Sequence, residues 1–145
     1  MEVKHRKLYM VLFCIYSGFM LYLLFNRAGG IEGVDYWKQI RSNLNLEPFH
    51  TIRLFWNVLG RQGYKSTAII NLGGNVIMFI PLGFFLPRAF PKLQKFWRTI
   101  LTTFLVIIAV ELTQLFTLLG SCDIDDLILN SIGAAIGYII HKLMK

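Results

Sequence analysis

Four apolar runs set the limits on what this chain can become: Leu8 to Phe25, Ile69 to Leu86, Thr99 to Leu119 and Leu127 to Met144. Crossing about 30 Å of hydrocarbon as a helix takes roughly 17 to 25 residues, and each run reaches or approaches that length. Hydrocarbon offers no partner to a peptide group, so a spanning segment must satisfy its own hydrogen bonds, as a helix does. Composition agrees, because 55% hydrophobic residues and 14% aromatics in 145 residues exceed what a small water-soluble core can hide. The expectation is an all-α integral membrane protein of four transmembrane helices (spans 8–25, 69–86, 99–119 and 127–144). It forms a single domain over 1–145, with an outer segment, 26–68, between the first two spans. Gly73, Gly74, Pro81 and Gly83 interrupt the second run, and His141 and Lys142 end the fourth, so both need protein packed around them. Gly73-Gly74 reads as a close-packing pair.

Positive charge is arranged as it would be for topology. Lys4, Arg6 and Lys7 precede the first run, Arg88, Lys92, Lys95 and Arg98 lie between the second and third, and Lys142 and Lys145 close the chain. With four spans these groups share one side, and the other side receives the segment 26–68 and the acidic string SCDIDD. Basic residues flanking spans are held in the cytoplasm, so a multi-pass plasma-membrane protein with both termini cytoplasmic is expected. The net charge of +7 is then topogenic and implies no nucleic acid partner. The basic N-terminus resembles a secretory leader, but its apolar stretch is too long and no small-x-small site precedes Asn26, so it reads as a retained span. Cys14 falls within a span and Cys122 at the outer surface, which is no disulfide framework.

Within the outer segment, Ile52, Phe55, Trp56 and Leu59 recur at helical spacing while Arg53, Asn57 and Arg61 fall elsewhere around the helix. This is the pattern of an interfacial amphipathic helix. Tyr36 and Trp37 begin a shorter one with Ile40 and Leu44, which Pro48 interrupts. Two readings follow: a lid over the outer ends of the spans, or a simple anchor on the lipid surface.

Polar residues in the spans are few and placed. Glu111 lies in an apolar run with no lysine or arginine, and a carboxylate at the bilayer centre costs roughly 2.5 to 3.5 kcal/mol on insertion scales. It must be protonated, paired or turned to a polar interior. Gln114 lies one turn on, Asn71 and Asn75 share a face of the second span, and Asp126, Asn130, Gly133, Gly137 and His141 fall in one arc of the fourth. With these faces inward, Asn75, Glu111, Gln114 and Asn130 form a buried hydrogen-bonded cluster, and the first span, ringed with aromatics, stays peripheral. The Gly133/Gly137 pair admits another backbone, from this chain or from a second copy in an oligomer. Asp123, Asp125 and Asp126 have two readings, as ligands of a divalent metal and as acids at the positive end of the fourth helix.

The strings NLGGNVIMFIPLGFFLP at 71–87, VELTQ at 110–114, DIDDLILNSIGAAIGY at 123–138 and NLNLEPFHTI at 43–52 together resemble the VanZ-like family of bacterial membrane proteins. The likeness covers about two-thirds of the chain. It implies a link to resistance against the lipoglycopeptide teicoplanin, and it places the family's typical polar residues on Asn75, Glu111, Gln114, Asp123, Asp126 and Asn130. Many members carry an arginine and an aromatic just before the first aspartate, where this chain has Gly120 and Cys122.

Three function classes fit. The first is a non-enzymatic protein that binds a lipid-linked cell-wall precursor or a lipid-tailed glycopeptide at the outer leaflet, with Arg41, Arg53 and Arg61 meeting anions and Trp37 and Trp56 packing on an acyl chain or sugar. The second is a membrane-embedded enzyme acting on a lipid-linked envelope substrate, with Glu111 and Asp126 as catalytic acid or base and, as sole cofactor, a divalent metal on the aspartates. In the third, Glu111 is the titrating group of a proton-coupled transporter. For Glu111 there is also a purely architectural reading, a protonated side chain donating to Asn75 or Asn130.

Overall fold

The structure, a computed structural model, describes residues 3–26, 33, 35–58 and 65–144. Leu59 and Arg61 lie outside the described residues. The elements are α1 (Val3–Phe25), α2 (Tyr36–Ser42), β1 (Leu44–Asn45), α3 (His50–Val58), α4 (Lys65–Ala89), a 3-10 turn (Pro91–Leu93), α5 (Phe96–Thr117), β2 (Cys122–Asp123) and α6 (Ile124–Leu143). Four stretches are long and apolar enough to cross a membrane: His5–Phe25, Ile69–Ala89, Phe96–Thr117 and Ile124–Leu143. The chain is an all-α membrane protein, its spans within a few residues of those read from hydropathy.

Local chemistry sets the ends of these helices. Asp123 caps α6, its carboxylate accepting from the Asp125 N–H, and the helix carries Asp125 and Asp126 in its first turn and His141 and Lys142 in its last, signs that complement the helix dipole. A left-handed Leu118 (φ 56°) stops α5, which lets the Leu119 and Gly120 N–H groups close on the Gln114 carbonyl. At the other end of α5, Pro91 opens a 3-10 turn, and the Thr99 hydroxyl donates to the Leu93 carbonyl at 2.5 Å.

Glycine governs the tightest packing, between α4 and α6. A Cβ built on Gly83 would fall 1.9 Å from the Ala134 carbonyl oxygen, one on Gly133 2.1 Å from that of Val76, and one on Gly137 1.9 Å from that of Ile80. Only hydrogen fits at these three places, so the backbones touch. The Gly133/Gly137 face offered above as an oligomer contact is therefore filled by the chain's own α4. Gly73 and Gly74, read as a close-packing pair, instead have no heavy atom within 4 Å of a built Cβ.

The core lies where α1, α4 and α5 meet, around Met20, Phe79, Leu82 and Ile107. The Tyr16 hydroxyl donates to the Met78 carbonyl at 2.6 Å, and Gln114 Nε2 donates to the Leu24 carbonyl at 2.9 Å, tying α4 and α5 to α1. Most of α1 nevertheless faces outward, as a peripheral span does, with Val11, Ile15, Phe19 and Tyr22 exposed.

Candidate functional site

At the acidic end of the bundle, residues 43–52, between the first two spans, are docked onto the spans by carboxylates. Asn45 pairs with Asp123 in a two-residue parallel bridge, β1 to β2, that hydropathy gave no hint of. The Cys122 N–H donates to the Asn43 carbonyl at 2.9 Å, and Asn43 Nδ2 donates to the Gly120 carbonyl at 3.3 Å. Further along, the Tyr36 hydroxyl reaches the Phe116 carbonyl at 2.9 Å. These contacts join the segment to the last turn of α5 and to the connection between α5 and α6.

The aspartates divide the work. Asp123 Oδ1 takes the Asp125 N–H at 2.8 Å, while its Oδ2 takes Asn45 Nδ2 at 3.1 Å and the Thr51 hydroxyl at 2.5 Å. Asp125 is 0% exposed, and its two oxygens accept the N–H groups of Phe49 at 2.5 Å and Ile52 at 3.0 Å. Those N–H groups flank the start of α3, so a carboxylate from α6 satisfies the positive end of another helix. Asp126 turns the other way and accepts from Asn75 Nδ2 on α4. As candidate metal ligands the three do not converge: among the described residues no group of three His, Cys, Asp or Glu side chains could hold an ion.

The predicted cluster of Asn75, Glu111, Gln114 and Asn130 separates into different roles. Asn75 meets Asp126, and Gln114 reaches α1. Glu111 Oε2 accepts the Asp123 N–H at 3.3 Å, so this buried carboxylate supports the turn between α5 and α6. It borders a small cavity of about 120 Å³ whose other walls include Leu46, Ile108, Leu112 and Leu127. Asn130, one turn below Asp126, is buried with its Oδ1 accepting no hydrogen bond from the chain.

Between α3, α4 and α6 lies a larger cleft of about 540 Å³. Thr51, Asn71, Asn75, Ser121, Asp123 and Asp126 give it a polar wall, and Leu54, Phe55, Leu72 and Leu129 an apolar one. Of the candidates read from sequence, Asn75, Asp123 and Asp126 line it. Trp37, Arg53 and Trp56 do not: the two tryptophans are 62% and 71% exposed, and Arg53 is spent on Glu47 Oε1 at 2.9 Å and on the Phe49 carbonyl. Sequence reasoning weighted the largest side chains of α3 and so passed over Thr51 and Leu54, which line the cleft. The signal for Thr51 was present in NLNLEPFHTI, where Asn45 and Thr51 stand six residues apart and meet on one carboxylate.

Beside the cleft, burial pushes the Cys122 thiol above its ordinary pKa, and the negative charges of Glu111, Asp123 and Asp126 push it further. A thiol so placed is a poor nucleophile at neutral pH.

No curated protein and no solved structure gives a significant match to this chain. The VanZ/LLP1 family matches it over residues 13–145, from the first span through to the last residue. That match spans nearly the whole chain, including the outer segment, the cleft and the α4–α6 contact, and on it the chain belongs to the VanZ/LLP1 family of membrane proteins.

Proposed function

We propose that this protein binds a lipid-tailed molecule at the outer leaflet of a bacterial plasma membrane, with the acidic end outside and both termini cytoplasmic. The cleft under α3 carries the reading: about 540 Å³ with one polar and one apolar wall at the end of the spans, the size and lining of a small-molecule site for an amphiphile. The described lining residues include Asp123 and Asp126 but no lysine, arginine or histidine. Such a wall favours a head group rich in hydroxyl or amine donors over one carrying phosphate. An acyl-bearing glycopeptide supplies hydroxyls, amines and a tail, which fits the family's link to teicoplanin better than a phosphate-linked cell-wall precursor does.

The enzyme reading has less support. Asp123 has one oxygen capping α6 and the other on Asn45 and Thr51, both oxygens of Asp125 hold the start of α3, and Glu111 borders an apolar cavity with one oxygen on the Asp123 N–H. The proton-coupled transporter reading rests on Glu111 alone.

The test is teicoplanin susceptibility of a host expressing the wild type or Asn75→Leu, with vancomycin, which lacks the acyl tail, as control and membrane levels matched. Protection against teicoplanin alone, lost with Asn75→Leu, is expected. Binding of both antibiotics with equal strength by the purified protein would overturn the proposal.

A further inference from the structure

At the basic end of the bundle, away from the acidic cleft, a second cavity of about 420 Å³ opens among His5, Tyr9, Arg88, Gln94, His141 and Met144. Arg88 sits on α4 some 17 residues beyond Asn71, roughly 25 Å along the helix at 1.5 Å per residue. It is only 4% exposed, and its Nη1 has no hydrogen-bond partner. The guanidinium carbon stands 3.8 Å from the Phe84 ring centre and 5.3 Å from that of Tyr9. Stacking of this kind offsets part of the desolvation of a cation and leaves the planar edge of the guanidinium for an acceptor.

A guanidinium cannot shed its charge on burial, as a lysine can, so a buried one needs an anion. Among the described residues, the lining of the cavity contains no aspartate or glutamate. Its other polar groups are two histidines, a glutamine and a tyrosine. The frame around them is ordered: the Tyr138 hydroxyl donates to the Gln94 carbonyl at 2.9 Å, and Arg98 Nη1 donates to the Lys92 carbonyl at 3.1 Å.

We infer that this cavity is a phosphate-binding site, taking a phosphomonoester or phosphodiester group on Arg88 with His5 and His141 beside it. Phosphate suits the site because its oxygens match the guanidinium fork in pairs. The volume exceeds that of a bare phosphate and leaves room for the rest of a head group. Tyr9 and Met144 give the cavity an apolar side, as the head group of a lipid would need.

The experiment is thermal unfolding of the full chain in a neutral detergent, titrated with dihexanoylphosphatidylglycerol, with dihexanoylglycerol, which has no phosphate, and with glycerol 3-phosphate. The phospholipid is expected to raise Tm saturably and dihexanoylglycerol is not. Arg88→Gln should weaken the apparent affinity about tenfold, as loss of a charge-assisted hydrogen bond does, and the exposed Lys92→Gln should leave it unchanged. A matching shift with glycerol 3-phosphate would identify a soluble phosphate compound as the source; a shift with the phospholipid alone would identify a head group. Equal shifts with and without phosphate, or an affinity lost in Lys92→Gln and kept in Arg88→Gln, would overturn the assignment. Should Arg88→Gln fail to fold, His141→Gln in the same cavity takes its place beside the wild-type comparison.

Discussion

The carboxylate of Asp125 accepts the backbone N–H of Phe49 at 2.5 Å across 76 residues of sequence, and Phe49 holds a left-handed φ of 63° where it does so. A side chain in that region costs about 1 kcal/mol or more, and a charged acceptor for an otherwise orphaned N–H offsets it. The acid reads in the sequence as part of a possible metal site, yet it acts as the cap of a distant helix.

Asp125→Ala is therefore expected to destabilise the fold by about 2 to 3 kcal/mol, the scale of losing hydrogen bonds to a buried charge. Hydrogen exchange should localise the effect, with faster deuterium uptake over 44–58 and unchanged protection in α4 and α6. Equal uptake over 44–58 in both proteins would show that the carboxylate does not hold the segment.

Glycines separate cleanly by position. Gly137→Ala places a methyl 1.9 Å from the Ile80 oxygen and should lower stability by about 1 to 3 kcal/mol or more, as overpacking does. Gly74→Ala meets nothing within 4 Å and should be neutral or stabilising by up to about 1 kcal/mol through helix propensity. Thermal unfolding in detergent decides, and a Gly137→Ala protein as stable as Gly74→Ala would contradict the contact.

For Cys122, burial and three neighbouring carboxylates favour the protonated thiol, so the thiolate fraction at pH 8 lies below that of an ordinary cysteine. Its alkylation by iodoacetamide should be slow at pH 8 and accelerate as pH rises towards and through the elevated pKa. Asp126→Asn removes one of the charges and should move the whole rate profile to lower pH. An unmoved profile would mean that the acids do not reach the thiol.

The exposed tryptophans give a contrast with the cleft. Trp56→Ala should leave the affinity for an acyl glycopeptide within about twofold, while Asn75→Leu lowers it about tenfold, the worth of one hydrogen bond to a well-fitted ligand. Equilibrium binding in nanodiscs measures both. The reverse ranking would move the ligand from the cleft to the outer face of α3.

Which parts of this arrangement are legible in the sequence follows from the range of the forces involved. The spans could be read because hydropathy sums over some twenty residues of one helix and needs no partner. Gly133 and Gly137 could be read as a contact face for the same reason, though nothing along α6 says that Val76 and Ile80 fill it. Partners across the fold were harder. Glu111, Gln114 and Asn75 stand out as polar groups inside candidate spans, but helical phase fixes only the side of a helix, not the neighbour it meets. The Asn45 to Asp123 and Phe49 to Asp125 bonds join residues more than seventy positions apart, and composition carries no record of such pairing.

The short bridge between β1 and β2 also acts as a parity rule. Asn45 and Asp123 can hydrogen-bond only if an even number of crossings separates them, and the chain between them holds two candidate spans, α4 and α5. Were either helix left lying on the surface, the two residues would be about 30 Å of hydrocarbon apart and the acidic end could not close. Closure of this end is in effect a receipt for two crossings: the bond from Asn45 to Asp123 can form only when α4 and α5 both span.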